Sequence, residues 1–182
     1  MIAIIDYGAG NLFSVKNALD FLEEESIITA DCREIRCADA VILPGVGAFP
    51  DAMRMLREQG LAEVIKEEAQ KKPLLGICLG MQMLFEKSYE FQETEGLGLI
   101  PGCVQLIDGG GLKIPHMGWN DLTVLNPCAM TENMPKGAYV YFVHSFRALV
   151  HRGYVYGAQF HPEKSGAAGL ELLKNFARLV RK

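Results

Sequence analysis

The sequence predicts an α/β fold: a mostly parallel central sheet with helices on both faces, and a smaller antiparallel sheet drawn from the second half. Three observations carry that expectation. In the first half, short apolar runs alternate with stretches at helical spacing. The loops between them are only a few residues long, as βαβ units require. In the second half, glycine and short strand-like runs replace the alternation.

Taken in order, Ile2 to Ile5 reads as a buried strand, ended by Asp6-Tyr7-Gly8-Ala9-Gly10-Asn11. Leu12, Val15, Ala18, Leu19 and Leu22 then fall on one helical face. Ser26 to Thr29 gives a second strand and Ala40 to Leu43 a third, which is expected to stop at Pro44-Gly45-Val46-Gly47. One helix is expected next, with Asp51 near its start and Met55, Leu56, Val64 and Ile65 facing the core. Pro73 opens the apolar strand Leu74-Leu75-Gly76-Ile77, and a helix with Met81, Leu84 and Phe85 on its apolar face follows at once. Gly96 to Asp121 is rich in glycine and short strands, with Gly109-Gly110-Gly111 as a surface turn. Aromatic-rich strands are expected at Tyr139 to Ser145 and Tyr154 to Phe160. Leu170, Leu173, Phe176, Ala177 and Val180 mark a closing helix.

With 182 residues, the chain is expected to form one domain over residues 1–182. Hydrophobic residues make up 49% and charged residues 22%, which excludes a disordered chain. No apolar run reaches the roughly 18 residues of a membrane span. The opening Met1-Ile2-Ala3-Ile4-Ile5-Asp6 lacks the basic start of a signal peptide, so a soluble, cytoplasmic protein is expected. A formal net charge of −4 without a basic run argues against nucleic-acid binding. Cys32, Cys37, Cys78, Cys103 and Cys128 contain no CxxC pair, so neither a disulfide framework nor a zinc site is expected.

Gly76-Ile77-Cys78-Leu79-Gly80-Met81-Gln82 is the thiol version of a G-x-S-x-G nucleophile elbow. Its glycines suit a turn in which neighbouring backbone comes too close for a Cβ. The helix start beyond Cys78 favours a thiolate, and the Leu79 N–H is placed to bind an oxyanion. A base is offered by His161, which follows an apolar strand, with Pro162 fixing the turn and Glu163 able to reach back to the imidazole. Cys78, His161 and Glu163 together would make a catalytic triad. His116, His144 and His151 are poorer bases by position. Val46 and Gly47 follow a strand whose end should share a crevice with Cys78, and can supply a second oxyanion N–H. Asp6 to Asn11 looks like half a dinucleotide fingerprint, but Phe13 stands where its third small residue belongs, so a dinucleotide cofactor is rejected.

The elbow and Phe160-His161-Pro162-Glu163 resemble the class I (triad) glutamine amidotransferases. Ile4 to Leu12, Leu43 to Phe49, Pro115-His116-Met117-Gly118-Trp119-Asn120, Tyr141-Phe142-Val143-His144-Ser145 and His161 to Ser165 narrow the resemblance to the glutaminase subunits of imidazole glycerol phosphate synthase. That resemblance implies glutamine hydrolysis through a Cys78 thioester, with no cofactor and no metal. Gln82, His144 and Ser145 would seat the glutamine. Ammonia would pass to a (β/α)8 cyclase/synthase subunit, in a heterodimer that makes imidazole glycerol phosphate and AICAR for histidine biosynthesis. Asn11, Trp119 and Lys164 would face that partner. A glutaminase of another pathway, or a non-catalytic binding module on the same fold, remains as an alternative.

One stretch departs from the family pattern. Residues 146–153 fall short by roughly twenty residues for the hairpin that normally precedes His-Pro-Glu. Either that hairpin is trimmed, or residues are missing between two stretches; the intact flanking motifs favour the second reading.

Overall fold

The computed structural model describes residues 1–105, 116–144 and 149–180. The first half runs β1 (Ile2–Ile5), α1 (Leu12–Phe21), β2 (Ser26–Thr29), α2 (Cys32–Cys37), β3 (Ala40–Gly45), α3 (Phe49–Glu58), α4 (Leu61–Glu68), β4 (Leu74–Cys78) and α5 (Leu79–Met83). Then come β5 (Phe85–Ser88), β6 (Thr94–Glu95), β7 (Ile100–Val104), β8 (His116–Asp121), β9 (Tyr139–His144), β10 (Leu149–Arg152), β11 (Val155–Ala158) and α6 (Gly166–Val180). Six strands form the central sheet in the order β10-β11-β4-β3-β1-β2, all parallel except β10. β8 and β9 make a separate antiparallel pair, and β6-β5-β7 a small mixed sheet. Among the described residues, no helix is long and apolar enough to cross a membrane.

Two apolar layers cover the sheet. Val15, Ala18 and Leu19 of α1 pack with Leu172, Leu173 and Phe176 of α6 on one side. On the other, Ile35, Phe49, Met53, Leu56, Leu61 and Ile65 bring in α2, α3 and α4. The alternation along β1 serves both layers: Ile2 and Ile4 face the first and Ile5 the second.

Four local expectations are corrected. The helix expected as one piece after residue 48 is two, because Gly60 takes φ 70 and turns the chain between α3 and α4. In α3 the fully buried methionine is Met53, while Met55 is only half-buried. β3 runs through Pro44 to Gly45 instead of ending at Leu43. Pro44 is tolerated there because the pairing with β1 has already ended at Ile4–Ile42, so its missing N–H breaks no ladder bond. Finally, α5 stops at Met83, leaving Leu84 and Phe85 outside it. The amides of Leu97, Gly98 and Leu99 take the carbonyls of Met83, Phe85 and Leu84 at 2.8–3.0 Å, which diverts the chain into β5.

At the 149–158 stretch, β10 and β11 pair as a hairpin around Gly153-Tyr154, with Gly153 at φ 57. β11 also pairs in parallel with β4 from Val155–Leu74 to Ala158–Ile77, so the strand leading to His161 is held on both sides.

Lys72 is a buried cation with a structural task. Its Nζ donates to the carbonyls of Ile35, Arg36 and Ala38 at 3.2, 2.8 and 2.6 Å, closing the end of α2, and pairs with buried Glu68 at 2.7 Å. Burial pushes the Glu68 carboxyl up, but Lys72 and Lys71 outweigh it and hold it below its ordinary value. A depressed carboxylate stabilises the fold above its ordinary value of 4.5, and that contribution fades as the pH falls through the lower folded value. Lys72→Met leaves Glu68 and three carbonyls without this donor. It is expected to lower stability by about 3 kcal/mol, read from the urea midpoint at pH 7.

Candidate active site

Three adjacent strands, β3, β4 and β11, end side by side, and the chemistry-bearing residues collect at those ends. Gly45 pairs with Cys78 across β3 and β4, so the Val46–Gly47 turn begins beside the thiol. On the other flank Ala158 pairs with Ile77, so Gln159 and His161 emerge next to it. This is the carboxyl edge of a parallel sheet, where strand ends open onto a crevice.

Cys78 carries the strain of the elbow itself, at φ 56 and ψ −117. A non-glycine residue there costs of order 1–3 kcal/mol and persists only when its surroundings enforce it. Those surroundings are glycines. A Cβ on Gly80 would lie 1.8 Å from the Leu43 carbonyl oxygen. On Gly76 it would lie 2.7 Å from Gly80 O and Met81 N, and on Gly45 2.6 Å from Gly80 N. Both flanking glycines therefore serve close approach and not a positive φ.

His161 is fixed from several directions. Its N–H donates to Tyr141 O at 3.2 Å, and Ser165 Oγ donates to its carbonyl at 2.7 Å while accepting from Tyr141 N at 3.0 Å. Its Nδ1 lies 2.8 Å from Glu163 Oε1, with the two side chains 7% and 0% exposed. With Nδ1–H donating to the carboxylate, Nε2 is left for the thiol. Burial alone would lower the imidazole, but hydrogen bonds to Cys78 and Glu163, and their charges, push it up to about 9. The arrangement can therefore hold a proton ready for a leaving group at neutral pH.

The remaining site residues fall into three groups. Gln82 is buried, and its Nε2 donates to Gln159 Oε1 at 3.1 Å; Gln159 Nε2 in turn reaches Cys78 Sγ at 3.8 Å. Gln159, with no exposed surface, was not singled out from the sequence, although a glutamine in an apolar run directly before the histidine is itself a signal. Leu79 is buried directly behind the thiol, whereas Val46 and Gly47 are exposed, Gly47 at φ 93. Asn11 is half-buried and turns inward: its Nδ2 donates to Glu163 Oε1 at 3.4 Å, and its Oδ1 accepts from Ser14 Oγ at 2.8 Å. Trp119 is 53% exposed and packs edge-on against Tyr141 at 5.8 Å, one strand away from His161. Lys164 is exposed. Ser145 and the side chain of His144 lie outside the described residues.

Known proteins resemble this chain over most of its length. Residues 3–148 match the family described as Glutamine amidotransferase class-I. An "Imidazole glycerol phosphate synthase subunit HisH" from Oceanobacillus iheyensis is 48% identical over 202 positions, covering 100% of both chains. A subunit of the same description from Listeria monocytogenes is 47% identical, covering 100% of this chain and 97% of its own. The alignment with the first of these spans 202 positions against 182 residues, which leaves about twenty positions unfilled in this chain. Among solved structures, one described as a glutamine amidotransferase superposes with a TM-score of 0.79 at 19% identity, covering 100% of both chains. The structure of PurLQS from Thermotoga maritima gives 0.70 at 20% identity, covering 97% of each chain.

Proposed function

Since this chain belongs to the class-I glutamine amidotransferase family, we propose that it is the glutaminase subunit of an imidazole glycerol phosphate synthase, releasing ammonia from glutamine for histidine biosynthesis. The observation that carries the mechanism is the strained Cys78 beside the buried His161–Glu163 pair. The Cys78 thiolate attacks the amide carbon of glutamine, forming a C–S bond and a tetrahedral oxyanion. The Leu79 N–H and the Val46–Gly47 turn hold that charge. The His161 imidazolium, oriented by Glu163, gives its proton to the amide nitrogen, the C–N bond breaks, and ammonia leaves. Neutral His161 then takes a proton from water, whose oxygen attacks the thioester and frees glutamate and Cys78. Gln82, His144 and Ser145 seat the substrate.

In this reading residues 1–182 are one amidotransferase domain, working in the cytoplasm in a heterodimer with a (β/α)8 synthase subunit. Asn11, Trp119 and Lys164 face that partner. The exposed Trp119 and Lys164 support this, while Asn11 touches Glu163 and so ties the partner's side to the triad. The oxyanion turn rests with a carbonyl toward the site and swings an N–H inward when the partner and its ligand are bound.

The test is glutamate release by the chain alone and with a cognate synthase subunit and its ligand. Activity is expected only in the complex, and the alkaline limb of its pH profile is expected near pH 9. The sign follows from His161, whose raised value keeps its proton available below about 9 and loses it above. The same pair stabilises the fold fully below the ordinary imidazole value of 6.5 and no longer above about 9. Equal rates with and without partner would remove the gating, and a profile flat through pH 10 would remove His161 as the acid.

A further inference from the structure

Tyr7 is among the largest fully buried side chains, with 0% exposure, yet its hydroxyl finds no hydrogen-bond partner among the described residues. An unpaired buried hydroxyl destabilises a fold, and phenylalanine would fill the same space without that penalty. Packing therefore accounts for the ring and leaves the hydroxyl unexplained.

Its position supplies the explanation. Tyr7 follows β1 by two residues, and β1, β3 and β4 are neighbours in the sheet. Its ring belongs to the apolar layer on the face of the sheet that also holds Phe49 and Leu79, and the phenol is close enough to Cys78 to feel its charge. The same loop presses on β3: a Cβ on Gly10 would lie 3.2 Å from Pro44 Cβ. Gln59 Nε2 donates to Tyr7 O at 2.8 Å, so the backbone is anchored while the hydroxyl is left over. Burial, and then the charge of Cys78, push the phenol's ionisation well above its ordinary range, so the group stays a donor.

Turning the Gly47 N–H toward a substrate oxyanion necessarily turns the Val46 carbonyl to the opposite side of the same peptide. Gly47 at φ 93 has open space where a Cβ would sit, which leaves room for that rotation. A carbonyl driven inward needs a donor. We propose that Tyr7 is a positioning residue for the oxyanion turn, its hydroxyl receiving the Val46 carbonyl once the Val46–Gly47 peptide has rotated into its active orientation. The inference rests on the glutaminase reading above and deepens it: the resting fold carries an unpaired donor that the active state satisfies.

The experiment is Tyr7→Phe in the full chain, assayed with the cognate synthase subunit and its ligand. The thermal midpoint of the free chain is expected to rise by roughly 2 °C, because an unpaired hydroxyl is removed. In the complex, kcat for glutamine is expected to fall about tenfold, the worth of one hydrogen bond made only in the active state, while KM changes less than twofold. Alkylation of Cys78 by iodoacetamide in the free chain, which needs no oxyanion turn, is expected to be unchanged. A residue that merely fills space would give the stability gain without the loss in kcat, and that result overturns the proposal. So does a Tyr7→Phe chain whose Cys78 alkylation slows in step with kcat, since the hydroxyl would then act on the thiol. A wild-type complex that releases no glutamate overturns both this proposal and the glutaminase reading, whereas an active wild type matched by Tyr7→Phe overturns only the role of Tyr7.

Discussion

Cys78→Ala is expected to remove glutamate release by roughly 10⁴-fold or more in the complex, since no other group here can form the thioester. His161, Glu163 and the oxyanion donors stay in place in this variant, so any residual rate reports what they achieve without a nucleophile. The backbone makes a second comparison informative. At φ 56 and ψ −117 alanine inherits the strain of the native cysteine, whereas glycine adopts this conformation freely. Cys78→Gly should be as inactive as Cys78→Ala, but more stable than it by about 1 kcal/mol in urea unfolding. Equal stability of the two would mean that the elbow is less strained than its dihedral angles imply. Appreciable turnover by either would move the nucleophile away from Cys78 altogether.

Gly80→Ala is expected to be the most damaging single substitution for the fold. The added Cβ would sit 1.8 Å from the Leu43 carbonyl oxygen and 2.8 Å from its carbon, atoms of the central strand β3. No rotamer change relieves a clash between a Cβ and backbone; either α5 lifts from the sheet or β3 shifts within it. A loss of at least about 4 kcal/mol follows, enough to leave little soluble protein. Gly98→Ala is the control, since a Cβ there meets nothing within 4 Å and only its φ of 66 opposes the change. That substitution should cost about 1 kcal/mol. Thermal unfolding of both separates contact from conformation: similar midpoints would show that the approach of α5 to β3 is looser than these distances.

What could be read from the sequence divides along physical lines. The strands at Ile2, Ser26, Ala40 and Leu74 were legible because each is a short apolar run between turn residues, and apolar burial decides where such runs go. The elbow was legible because close backbone approach admits only glycine, which leaves a signature in residue identity. The break between α3 and α4 was hidden, since helical spacing continues across Gly60 and only its backbone angle shows the turn. The early end of α5 was hidden for another reason. The carbonyls of Met83, Leu84 and Phe85 are taken by residues 97–99, and no pattern within Leu79 to Phe85 records a competitor that arrives later in the chain. Gln159 and Tyr7 were overlooked because each is one polar group in an apolar setting, and what matters is which neighbour it meets.

Cys78, at the end of β4, and its neighbour Gln159, just past the end of β11, lie 81 residues apart in sequence, although the two strands are adjacent in the sheet. β1 to β4 depend only on residues up to 78, whereas β11 has to be added afterwards at the flank of β4. Long-range parallel pairing of this kind is slow, because loop closure precedes any reward from contact. During synthesis at about 5–20 residues per second, the cysteine emerges seconds before its histidine. The order of assembly thus separates the making of the thiol's scaffold from the arming of its chemistry. A chain stalled anywhere before β11 carries Cys78 without His161 or Glu163, so ammonia is not released by incomplete molecules.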